Sequence, residues 1–89
     1  MRDLKMGEVL CTLRVMPTGV DVDLEKMKSG IQDVISPNEI TESPVAFGLK
    51  ALIVKKIVPD NEGGPDVLEE KIRKIEGVES VETIEVTLV

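Results

Sequence analysis

The run Leu49–Val58, LKALIVKKIV, decides the fold of this chain. It is the longest apolar stretch in the sequence and is interrupted only by Lys50, Lys55 and Lys56. A nearly continuous run of branched aliphatics suits a strand in the middle of a sheet, where both flanks are paired. The stretch before it, Glu39–Ala46, reads as a short strand broken by Pro44. Proline cannot donate to a ladder, so this strand belongs at a sheet edge. Phe47 and Gly48 form the turn between the two.

Upstream, Glu8–Met16 alternates as a strand, with Val9, Cys11, Leu13 and Val15 on one face. Pro17, Thr18 and Gly19 break it. Asp21 or Asp23 then caps a helix, because a carboxylate there accepts orphan backbone N–H groups. Leu24, Met27, Ile31, Val34 and Ile35 make its apolar stripe. Gly30 weakens that helix by roughly 1 kcal/mol, a cost consistent with close approach to the sheet. Ser36, Pro37 and Asn38 end the helix.

Downstream, Pro59–Gly64 is a loop, and Pro65 suits the first turn of a second helix. Val67, Leu68, Ile72 and Ile75 form its stripe, and Glu69–Arg73 and Glu70–Lys74 are spaced as i,i+4 pairs. Gly77 is placed to cap its end. The last strand runs from about Ser80 to Val89. The order is β-α-β-β-α-β. One four-stranded antiparallel sheet with both helices on one face buries both stripes, which is the α+β, ferredoxin-like split βαβ sandwich. That topology puts strands one and three in the centre and strand two at an edge. Met1–Lys5 is read as a disordered N-terminal extension and residues 6–89 as the domain.

The balance of 17 acids against 11 bases gives a net charge of −6, which repels phosphate backbones. No nucleic acid is expected, and a basic protein surface is the natural partner. A single cysteine suits a reducing cytoplasm, and no apolar run approaches the roughly 20 residues of a membrane span. Histidine is absent, which removes the commonest general base and metal ligand. Cys11, mid-strand among apolar neighbours, reads as a small buried hydrophobe. No catalytic residue, cofactor or metal is expected.

Asp60, Asn61, Glu62 and Asp66 cluster around a glycine pair, but their spacing lacks the calcium-loop pattern. The preferred reading is a solvated loop with helix capping. A small-ligand or metal-binding regulatory module remains the alternative, supported by this loop alone. The topology also serves small phosphatases of the acylphosphatase kind, which need an anion loop with an arginine after strand one. Here Asp21 and Asp23 stand in that loop. RNA-binding domains of this topology stack bases on aromatics of the central strands, and this chain has none there. Lys50, Lys55 and Lys56 read as a solvated edge or outer sheet face. Phe47, the sole aromatic, has two readings: a core plug at the sheet's end, or an exposed anchor for a partner.

The segment Ser43-Pro44-Val45-Ala46-Phe47-Gly48-Leu49-Lys50-Ala51-Leu52 resembles the signature of the elongation factor 1-beta family, archaeal type. Val15-Met16-Pro17, Val22-Asp23-Leu24-Glu25, Val58-Pro59-Asp60 and Gly77-Val78-Glu79-Ser80-Val81 extend the likeness over nearly the whole chain from Met6. The resemblance implies a guanine-nucleotide exchange factor for elongation factor 1-alpha, free-standing as a monomer. It also implies that the turn with Phe47 and Gly48, together with Lys50 of the same segment, contacts that GTPase. Eukaryotic relatives present a lysine one residue from the C-terminus, and Leu88 holds that position here.

Overall fold

The computed structural model describes residues 7–59 and 64–89. The element order is β1 (Glu8–Pro17), α1 (Leu24–Ile35), β2 (Glu39–Pro44), β3 (Lys50–Pro59), α2 (Pro65–Arg73) and β4 (Val78–Leu88), with a short 3-10 turn at Ala46–Gly48. The sheet order is β2-β3-β1-β4, and every pairing is antiparallel. The central strands are the first and third, and Pro44 lies on an edge strand, as the apolar pattern predicts.

The inward row of β1, Val9, Cys11, Leu13 and Val15, is buried, as are Leu52 and Val54 of β3. Met27, Ile31 and Ile35 of α1 close over them together with Leu68 and Ile72 of α2. The core is aliphatic throughout. Val34 and Val67, expected in the helical stripes, are instead exposed. Each stands one residue from a buried stripe member, Ile35 and Leu68 respectively. A helix laid on a sheet buries a stripe narrower than the apolar one its sequence carries.

Asp23 rather than Asp21 caps α1, accepting from the backbone N–H of Glu25 at 3.0 Å and of Lys26 at 3.3 Å. At the other end, the Lys56 ammonium donates to the Ser36 carbonyl at 3.0 Å, satisfying a helix C-terminal oxygen with a cation. Lys50 and Lys56 share the register parity of Leu52 and Val54, so they belong to the helix side. Of the three lysines, expected on a solvated edge or the outer sheet face, only Lys55 has outer-face parity, and Lys50 is exposed at the start of the strand.

Gly30 faces Ile75, not the sheet: a Cβ there would lie 3.1 Å from the Ile75 Cγ2. The glycine lets α1 approach the segment that follows α2. Gly77 is not the immediate cap of α2, which ends at Arg73 with Lys74 as its cap. It adopts φ 93° in the turn into β4, where its carbonyl accepts from the Thr18 N–H at 2.9 Å. β2 ends at Pro44, two residues short of the expected Ala46, and β4 begins at Val78, two before Ser80. Glu69–Arg73 closes at 3.4 Å, whereas no ion pair joins Glu70 to Lys74. Glu69 also accepts from the Thr83 hydroxyl, tying α2 to β4. The expectation for Met1–Lys5 and most of the Asp60–Asp66 cluster lies outside the described residues.

Candidate functional site

Pro44 ends the β2 ladder and delivers the chain into a tight turn. The Val45 N–H donates to the Leu49 carbonyl at 2.8 Å, and the Leu49 N–H returns to the Ala46 carbonyl at 3.3 Å. Closing so short a loop requires left-handed backbone at two successive residues. Gly48, at φ 76°, adopts it without cost, but Phe47, at φ 64° and ψ 29°, does not. An L-residue in that region is strained by roughly 1–2 kcal/mol.

The strained residue is also the chain's only aromatic, and it is 94% exposed. The core-plug reading is therefore overturned: Phe47 fills no gap in the sheet. Burying such a side chain is worth roughly 1.5–3 kcal/mol. The fold forgoes that gain and spends strain energy to hold the ring in water.

The turn is braced from below. Lys28 of α1 reaches Glu42 of β2 at 2.8 Å and Glu25 at 3.3 Å. Lys50, the first residue of β3, stands 3.8 Å from the same Glu42 carboxylate. The hydrogen bond to Glu42 raises the Lys28 ammonium above the usual lysine range, against the opposing effect of burial. The hydrogen bond from Lys28, helped by its charge, holds the Glu42 carboxyl below the usual carboxylate range. Both groups are charged at neutral pH, and together they pin α1 to the hairpin that carries Phe47.

Phe47, Gly48 and Lys50 thus fall in one short connection. Phe47 points to solvent, Gly48 shapes the turn, and Lys50 leans to the helix side toward Glu42. The sequence reading missed Glu42 and Lys28. The signal was present: Glu42 follows Ile40 at a spacing of two, so an acid occupies an inward position of an edge strand. It also missed Val20, an aliphatic placed within a turn segment and 70% exposed beside Gly48.

Reactive chemistry has little footing in the described residues. The Cys11 thiol is fully buried, and desolvation pushes its pKa up, away from the nucleophilic thiolate. No group of three or more potential ligands gathers there to hold a metal. No helix there is long and apolar enough to cross a membrane.

The described residues form a small split βαβ domain that displays its one aromatic on a braced, strained turn. Residues 10–89 match the EF-1 guanine nucleotide exchange domain. The elongation factor 1-beta of Methanoregula boonei is 49% identical over 84 residues, covering 93% of this chain and 99% of its own. That of Methanothermobacter thermautotrophicus is 46% identical, covering 91% of this chain and 96% of its own. That of Archaeoglobus fulgidus is 48% identical, covering 86% and 92%. This chain belongs to the elongation factor 1-beta family, the guanine-nucleotide exchange factors of translation elongation.

Proposed function

We propose that this protein promotes exchange of GDP for GTP on elongation factor 1-alpha, with residues 6–89 as the exchange domain and Phe47, Gly48 and Lys50 in the contact. The single observation that carries the reading is Phe47, the only aromatic, held in strained backbone and almost wholly in solvent. Aromatic anchors dominate interface energetics, and a backbone already fixed at the anchor leaves less entropy to lose on docking. The family match supports the reaction class, and the names of the relatives support the partner.

The mechanism is differential affinity and not bond making. The factor binds the GTPase more tightly in a state whose nucleotide and Mg²⁺ site is disturbed. It thereby weakens GDP, and GDP weakens it by the same factor. A side chain of the docked face, or displacement of GTPase elements by the body of the domain, supplies the disturbance.

The test is release of fluorescent GDP from elongation factor 1-alpha. The protein is expected to accelerate release, and Phe47→Ala to abolish most of the acceleration with melting temperature unchanged. No acceleration at any concentration of the wild-type chain overturns the proposal.

A further inference from the structure

Beside the Phe47 turn lies a cleft of about 190 Å³, bounded by Pro17, Gly19, Val20 and Val22 on one side and Gly48 and Lys50 on the other. Its two walls come from segments far apart in sequence. The loop between β1 and α1 meets the β2–β3 turn here, and a Cβ on Gly48 would stand 4.0 Å from the Val20 Cγ1. Val20 is a feature without a structural use: it is 70% exposed and does not pack on the core. A lone exposed valine needs no explanation, but Val20 shares one end of the molecule with an exposed phenylalanine.

We infer that Val20 and Phe47 form a two-part grip, and that the cleft beneath them takes an aliphatic side chain of elongation factor 1-alpha with a carboxylate beside it. This rests on the exchange-factor reading and deepens it. The size fits, since an apolar cavity of ~150 Å³ already holds a benzene ring. The lining fits, since Pro17, Val20, Val22 and Leu24 supply apolar surface. The charge fits as well. Lys50 is the one charged side chain on the cleft wall and is more exposed than the Glu42 carboxylate it faces, so its ammonium can also meet an acid from the partner. The cleft continues the Phe47 surface, so one docking event buries both.

The experiment is fluorescent-GDP release from elongation factor 1-alpha, titrated with wild type, Val20→Ser, Val20→Ile, Lys50→Gln, Phe47→Ala and the Val20→Ser/Phe47→Ala double variant. Val20→Ser is expected to raise the half-saturating concentration about tenfold, the loss of one buried aliphatic side chain, with unchanged melting. Val20→Ile keeps it within about twofold. Lys50→Gln raises it severalfold and flattens its dependence on salt. The double variant loses less than the product of the two single effects, because one docking event buries both residues side by side. Should the serine variant melt early, Val20→Thr, of the same shape, gives the same reading.

Several results overturn the inference. If Phe47→Ala weakens exchange while Val20→Ser and Val20→Thr leave it unchanged, the grip falls and the exchange-factor reading stands. Effects that simply multiply place the two residues on separate contacts and overturn the two-part grip. A self-association in ultracentrifugation that Val20→Ser abolishes assigns the cleft to a second copy of this chain. If the wild-type chain itself does not accelerate release, both readings fall together.

Discussion

Phe47 concentrates the tension between folding and function at a single residue. Its left-handed backbone costs stability, and its exposure forgoes burial. Asparagine tolerates that backbone because its short amide bonds locally. Phe47→Asn is therefore expected to raise the melting temperature by about 2–6 °C, a gain of roughly 0.5–1 kcal/mol, while exchange activity is lost. Calorimetry alongside the GDP-release assay checks both halves, and a lower melting temperature would show that the turn stores no strain. Glu42 carries a second prediction at this scale. Its carboxyl titrates below the ordinary value in the folded protein, so its contribution is present above the unfolded carboxylate range and lost as pH falls through the folded value. Lys28 is shifted up, so its share is present at neutral pH and lost only as pH rises past the lysine range. Glu42→Gln should melt earlier than wild type at pH 7, and the gap should close only in acid melts that take the pH down through the depressed titration of the folded Glu42 carboxyl, where both side chains are neutral. A gap that persists in acid would mean that the glutamate acts through packing and not charge.

Elements rest on a few backbone positions. Gly77 must combine φ 93° with the close approach of Val22, whose Cγ1 would stand 3.1 Å from an added Cβ. Gly77→Ala is expected to destabilise the domain by about 1–3 kcal/mol, measured by urea unfolding, and to loosen the junction of α2 and β4. How far such features can be read from sequence varies with their range. The strands and helices were legible because periods of two and 3.6 leave marks on neighbouring residues, and Pro44 located the edge by its missing N–H. Strand limits were not, since β2 stops at Pro44 only because the turn must begin there. Gly30 was legible as an anomaly but its partner was not. Ile75 is 45 positions away, and no local pattern encodes that contact. The same holds for the site. Phe47 stood out as a lone aromatic beside glycine, yet plug and anchor differ only in which way the ring turns. The brace from Lys28 to Glu42 joins two elements through register, which emerges only once β2 is aligned on β3.

The whole molecule is an aliphatic core under a heavily charged surface, with its conspicuous exposed aromatic at one end of the sheet. On the exchange-factor reading proposed above, the effect on the GTPase is thermodynamic: the two ligands oppose one another on a shared partner. The most direct measurement is the equilibrium affinity of this protein for nucleotide-free elongation factor 1-alpha and for its GDP–Mg²⁺ form, set beside the affinity of GDP with and without the protein. The account predicts tighter binding to the nucleotide-free form, by the same ratio in which the protein weakens GDP. Equal affinity for the two forms would contradict it.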